Sequence, residues 1–129
     1  MTVADTDVLI DFLEGCHPGS EAVAAALASG QLRTTVISCY EVLSGARQSK
    51  KRTVAEALLE SIPVLSLDEA MARKAAELRL ELEESGSVIG MADLLIAAIV
   101  LSHGATLLTR NRSHFERIPD LPLANLADA

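Results

Sequence analysis

Tryptophan is absent from the 129-residue chain, and its aromatic residues are limited to Phe12, Tyr40 and Phe115. A platform that stacks single-stranded bases needs more rings than that, so none is expected. The core must instead come from Ala, Leu, Val and Ile, which suits helices packed on a small sheet. Cysteine is also scarce, with Cys16 and Cys39 alone. Two thiols give no disulfide framework, and a reducing cytoplasm is the expected compartment. No basic segment followed by an apolar one marks the N-terminus, so no signal peptide is expected. The longest purely apolar run, Leu94 to Leu101, is far too short to span a bilayer, and no membrane association is expected. Positive charge is in short supply, with 11 Lys and Arg against 18 Asp and Glu, a net charge of −7. A protein that grips nucleic acid through Lys and Arg alone is not usually built this way. Either nucleic acid is not the ligand, or bound cations neutralise some of the acids. The excess also favours a partner with a basic surface.

What the chain does have is apolar residues, half of the total, in a length that suits one compact domain spanning residues 1–129. Thr2 to Ala4 reads as a short buried strand. Asp7 to Glu14 has helical spacing and stops at Gly15, and a second helix opens at Pro18 and Ser20 and runs to Ser29. Arg33 to Ile37 is β-branched and reads as a strand. A helix starts at Ser38, whose spacing to Glu41 is that of a capping box. Gly45 and the basic run Lys50, Lys51, Arg52 mark a break before a helix over Val54 to Glu60. Pro63 to Leu67 is a strand, Asp68 caps a long helix to Glu84, and Ser85-Gly86-Ser87 is a loop. Met91 to Ser102 is a helix and Ala105 to Thr109 a strand. A short helix near Ser113 and an edge strand over Leu121 to Leu123 complete the chain. Strands alternating with helices predict an α/β fold with a parallel sheet covered on both faces. Ligands in such sheets bind at the carboxyl ends of the strands.

Several polar residues fall at those ends. Asp93 is the only ionisable residue between Glu84 and His103, and eight apolar residues follow it. A carboxylate entering a buried helix costs roughly several kcal/mol unless it is paired or bound to a metal. Helix capping is the competing account, and for Asp93 alone the two are evenly matched. Asp5 sits at the tip of the first strand and is the better ligand, whereas Asp7 is the better cap. Glu41 lies one turn before Gly45, and a capping box explains it fully. Thr109 and Asn111 follow the last clear strand, where loop structure explains them as well as a role in orienting water does. Each residue has an ordinary account, but together they are harder to dismiss. Unneutralised carboxylates at one sheet edge repel and raise their own pKa values. Several oxygen ligands without a His/Cys cluster suit a hard cation such as Mg²⁺ or Mn²⁺.

Four blocks resemble a known family. Val3-Ala4-Asp5-Thr6-Asp7-Val8-Leu9-Ile10 is similar to the opening of PIN domains, above all those of VapC-type toxins. The same holds for Ser38-Cys39-Tyr40-Glu41-Val42-Leu43-Ser44-Gly45 and for Met91-Ala92-Asp93-Leu94-Leu95-Ile96-Ala97-Ala98. The closing block is Leu108-Thr109-Arg110-Asn111-Arg112-Ser113-His114-Phe115. The order is right and nearly the whole chain is covered. The resemblance implies a three-layer α/β/α fold and Mg²⁺-dependent endoribonuclease activity. It also implies a cognate antitoxin that seats a helix or extended segment beside the site, and dimerisation. Asp5 and Asp93 would then hold the metal, Glu41 would complete the site, and Thr109 would support it. Many PIN domains carry a further acid where this chain has Asn111, which puts a second metal site in doubt. Asp7 restores some of that charge.

On this reading a water attacks an RNA phosphodiester, and Glu41 or Asp7 orients or deprotonates it. Arg47, Lys50, Lys51 and Arg52, with Arg110, Arg112 and Arg117, are candidates to guide the RNA backbone. An ordinary solvated surface is the alternative for these, and His114 reads as a surface residue. Two rival readings remain. Asp5-x-Asp7 after a strand also opens haloacid-dehalogenase-like phosphatases, although Leu9 stands where they have Thr or Val. Receiver domains share the length and the N-terminal acids but need a late lysine, and none follows Lys74. A non-enzymatic PIN-fold binding module is the second rival, kept open by Asn111.

Overall fold

The computed structural model describes residues 1–126. In chain order the elements are β1 (Thr2–Ala4), α1 (Thr6–Glu14), α2 (Gly19–Ala28), β2 (Leu32–Thr35), α3 (Val36–Gly45) and α4 (Ser49–Ser61). There follow β3 (Val64–Leu65), α5 (Glu69–Glu84), α6 (Met91–Ser102), β4 (Thr106–Leu108) and α7 (Arg112–Phe115). The four strands form one parallel sheet in the order β3-β2-β1-β4. The alternation of strand and helix in the sequence leads to this arrangement, since parallel neighbours need a crossover between them.

The pleat of β1 divides the core. Val3 and its register partner Leu107 face one layer, where Ala75, Leu78 and Leu82 of α5 meet Leu94, Ile96, Ala97 and Val100 of α6. Ala4 and its partner Leu108 face the other, with Val8 and Leu9 of α1, Val23 of α2, Val42 of α3 and Leu58 and Leu59 of α4. The result is the expected three-layer α/β/α sandwich. Helix α6 is buried over most of its circumference, from Ile96 through Val100, which is what an all-apolar helix requires. Among the described residues, no helix is long and apolar enough to cross a membrane.

Several boundaries differ from the sequence reading, and each difference has a local cause. Strand β2 ends at Thr35, and the β-branched Val36 and Ile37 begin α3. Thr35 caps that helix, accepting from the Ser38 N–H at 3.1 Å. Ser38 is therefore not a cap, and no Ser38–Glu41 capping box forms. Both side chains lie inside the helix and are free for long-range contacts. Helix α4 starts at Ser49, so Lys50, Lys51 and Arg52 form its first turn instead of a break. Asp5, not Asp7, caps α1, its Oδ1 accepting from the Thr6 N–H at 2.8 Å. The edge strand over residues 121–123 reduces to a single parallel bridge between Leu107 and Leu123.

The chain builds outward from β1 to β2 and β3, then returns to place β4 on the other side of β1. The carboxyl ends of β1 and β4 thus flank the topological switch point of the sheet. Crevices at such points are where open α/β sheets bind ligands.

Candidate active site

Asp5 leaves β1 and Thr109 leaves β4, so the switch point brings together two residues 104 positions apart. The Thr109 hydroxyl donates to Asp5 Oδ2 at 2.7 Å. It accepts in turn from the Asn111 N–H at 3.0 Å, which fixes the hydroxyl proton on the carboxylate side. Asp7, in the first turn of α1, reaches the same loop, where its Oδ2 accepts from the Arg110 N–H at 3.0 Å. Glu41 arrives from α3. Its Oε1 accepts from the Thr6 hydroxyl at 2.6 Å, and that hydroxyl also lies 3.0 Å from Ser38 Oγ. Asp93 stands in the first turn of α6. That helix is capped by the Gly90 backbone without a side-chain hydrogen bond, so the capping account of Asp93 fails. Its Oδ2 lies 3.6 Å from His114 Nδ1, and the amide nitrogen of Asn111 is 2.8 Å from the same ring nitrogen.

The acids influence one another. Burial pushes Asp5 up to about 7, opposed by the Thr109 hydrogen bond and reinforced by the charges of Asp7 and Asp93. Burial also raises Asp7, against the Arg110 N–H and guanidinium. Asp93 is raised first by burial, against His114, and further by the charges of Glu41 and Asp7. Three carboxyls held above their ordinary range by desolvation, two of them also by neighbouring carboxylates, make an environment that a cation stabilises.

The donor set fits a hard divalent ion. Asp7 Oδ1 is buried without a hydrogen-bond partner, an unfavourable state for a carboxylate oxygen unless a cation takes its lone pairs. Among the described residues, no three His, Cys, Asp or Glu side chains form a ready-made ligand cage.

The sequence candidates therefore divide. Asp5, Asp7, Glu41, Asp93 and Thr109 share one network, and Asn111 contributes its backbone N–H to Thr109 and its side chain to His114. The basic candidates lie elsewhere or are occupied. Arg47, Lys50, Lys51 and Arg52 are exposed around the α3–α4 junction. Lys50 and Lys51 edge a groove of ≈ 430 Å³ lined by Ile10, Leu13, Val42 and Val54. Arg110 is paired with Asp11 at 2.9 Å. The Arg112 guanidinium donates to the Ala124 carbonyl. Sequence reading took Ser38 only as a helix cap and gave Thr6 and Asp11 no role. For Asp11 a signal existed, since it sits one turn after Asp7 on the same face of α1.

Comparison with known proteins agrees with this geometry. A family model for the PIN domain matches residues 2–121. Ribonuclease VapC10 of Mycobacterium tuberculosis is 33% identical over 121 residues, covering 94% of this chain and 90% of its own length. The tRNA(fMet)-specific endonuclease VapC of Salmonella typhimurium is 32% identical over 89 residues, covering 66% of this chain and 67% of its own. A crystal structure of DNA-bound VapBC from the same bacterium superposes with a TM-score of 0.85 at 25% identity, covering 97% of each chain. Phosphatase and receiver readings are set aside by these matches. PIN-domain ribonucleases of the VapC type are generally dependent on divalent metal ions. The chain belongs to the PIN-domain family, among the VapC toxin endoribonucleases.

Proposed function

We propose that this protein is a Mg²⁺-dependent endoribonuclease, built as one PIN-type domain over residues 1–129, that acts as the toxin of a toxin–antitoxin pair. The observation that carries the reading is the meeting of Asp5, Asp7, Glu41 and Asp93 at one sheet edge, with three of them raised by burial and two of those, Asp5 and Asp93, also by neighbouring charge. Asp5 and Asp93 would hold the ion, and Glu41 would complete the ligand set directly or through water. Mn²⁺ suits the same oxygens. When bound, the ion supplies Lewis-acid polarisation of a phosphate oxygen and draws the pKa of water toward neutrality.

This chain's residues do the rest. Thr109 keeps Asp5 oriented, and Thr6 does the same for Glu41. Glu41 or Asp7 orients the attacking water and takes up its proton. Oxygen adds to phosphorus in line as the bond to O3′ breaks, and O3′ gains a proton. One fragment keeps a 3′-hydroxyl and the other a 5′-phosphate. Arg47, Lys50, Lys51 and Arg52 steer the RNA backbone. The partner is a cognate antitoxin with a basic segment that complements the net charge of −7, and the working unit is a homodimer. Free Cys16 and Cys39 fit a cytoplasmic home.

The test is sequencing of RNA ends after expression of wild type and Asp93→Ala. New 5′-phosphate ends at recurring sites are expected with wild type alone. The same ends from the variant, or ends bearing 5′-hydroxyls, would overturn the mechanism. No cleavage by purified wild type with Mg²⁺ would leave a binding module.

A further inference from the structure

One buried charge is not used by the chemistry above. Asp11 lies on α1 one turn beyond Asp7, and its side chain is 9% exposed. Its Oδ2 is 2.9 Å from Arg110 Nε but makes no hydrogen bond of good geometry. The neighbouring helix is shaped around it. A Cβ placed on Gly19, at the start of α2, would come 2.4 Å from Asp11 Oδ2. Only a residue without a side chain leaves that carboxylate its room. A buried carboxylate is costly on its own, so the pairing with Arg110 is what makes it tolerable.

Arg110 is the residue between Thr109 and Asn111, at the tip that follows β4. Its N–H donates to Asp7 at 3.0 Å, while the flanking Thr109 hydroxyl donates to Asp5. Holding the guanidinium on α1 therefore holds the whole tip against the two first acids of the site.

We propose that Asp11 is a positioning residue for the metal centre: by pinning the Arg110 side chain to α1, it keeps the Arg110 N–H on Asp7 and the Thr109 hydroxyl on Asp5. The proposal rests on the metal-site reading given above. Arg110 is thereby assigned to the tip of β4 and not to the RNA backbone. Groups that orient metal ligands from behind are worth roughly 10- to 100-fold in metal affinity or activity.

The test uses Asp11→Asn, Arg110→Gln, the double variant and Gly19→Ala, with Asp5→Asn as the reference. Mg²⁺ alone is titrated into each protein by calorimetry, without RNA. Cleavage of a mixed-sequence RNA oligonucleotide gives kcat and KM. Asp11→Asn and Arg110→Gln are each expected to weaken Mg²⁺ binding and lower kcat by about 10-fold or more, with KM within about twofold. The double variant should be no worse than either single one, because one interaction is being removed. Gly19→Ala should move in the same direction, since it crowds the same carboxylate.

Two results would overturn the proposal. One is Asp11→Asn with a lower thermal midpoint but wild-type Mg²⁺ affinity and kcat, which is what a merely structural ion pair gives. The other is Arg110→Gln raising KM while Asp11→Asn is silent, which returns Arg110 to the RNA. If Asp11→Asn fails to fold, Arg110→Gln and Gly19→Ala decide the matter by the same two readouts. Failure of the underlying metal-site reading looks different: Asp5→Asn would then bind Mg²⁺ and cleave as wild type does.

Discussion

Helices α5 and α6 lie side by side in the same layer, and each has an aspartate at its start. Asp68 is the N-cap of α5, exposed, with Oδ1 accepting from the Met71 N–H at 2.9 Å. Asp93 sits in the first turn of α6, where the backbone of Gly90 has already opened the helix and no side chain caps it. One carboxylate spends its lone pairs on its own helix. The other is left facing outward from its helix, beside His114 and within the fields of Glu41 and Asp7. A satisfied acid stabilises the fold, whereas an acid surrounded by like charges is available for a ligand. The α5 start thus serves its own helix, and the α6 start carries an acid that its own helix does not use.

The sharpest way to break this contrast is Asp93→Asn. On the proposed metal-site reading it should lower cleavage by on the order of 10³-fold, since polarisation by the metal is worth several kcal/mol. The metal-free thermal midpoint should not fall, because the substitution relieves repulsion from Glu41 and Asp7. Steady-state cleavage and a melt in chelator check the two halves. Wild-type rates, or a collapse of the midpoint, would place Asp93 with Asp68 as a structural residue.

Asp5 extends the comparison, being both a cap, like Asp68, and a site acid, like Asp93. Its folded-state pKa of about 7 stands above the ordinary 3.8. Between those values the folded chain binds more protons than the unfolded one. The stability that protonated Asp5 permits is therefore complete below about pH 4 and is lost as pH rises toward 7, at about 1.4 kcal/mol per pKa unit. In chelator, the midpoint of wild type should decline across that window. Asp5→Asn should flatten the decline, and Mg²⁺ should offset it most at the high end, where the carboxylate is ionised. A midpoint in chelator that rises from pH 4 to 7 in wild type, or an unchanged slope in Asp5→Asn, would contradict the burial of this charge.

The contrast also marks what a sequence can reveal. Asp93 stands out because nothing else charged interrupts that stretch, and the order of elements places it at the carboxyl edge with Asp5. Parallel topology follows from the alternation of strands and helices, so the edge itself was legible. The capping assignments were less so. Asp5 and Asp7 are both acceptable caps by residue type, and the backbone φ and ψ of one residue decide between them. Ser38 and Glu41 carry the spacing of a capping box, but Thr35 starts α3 one turn earlier and takes over the function. Val36 and Ile37 look like strand because β-branched residues favour it, yet tertiary packing outweighs so weak a preference. The contacts of Thr6 with Glu41 and of Asp11 with Arg110 join positions far apart in the chain. Local spacing puts Asp11 on one face with Asp7, but it does not name the partner of either Asp11 or Thr6.

The smallest effect belongs to Asp68, and it is the one that gives the comparison its control. Asp68→Ala removes a cap hydrogen bond on an exposed helix start, which costs about 1 kcal/mol. For a chain of this size that lowers the thermal midpoint by roughly 4 °C. Helix α5 contributes Ala75, Leu78 and Leu82 to the core beside α6, and those residues lie at least a full turn beyond the cap. Fraying of the first turn should therefore stop before it reaches them, leaving cleavage rate and Mg²⁺ affinity at wild-type values. The same denaturation and cleavage assays used for Asp93→Asn apply. A variant that lost activity as well as stability would mean that the two helix starts are coupled through the α5–α6 contact. The α6 start would then owe part of its geometry to the cap of its neighbour.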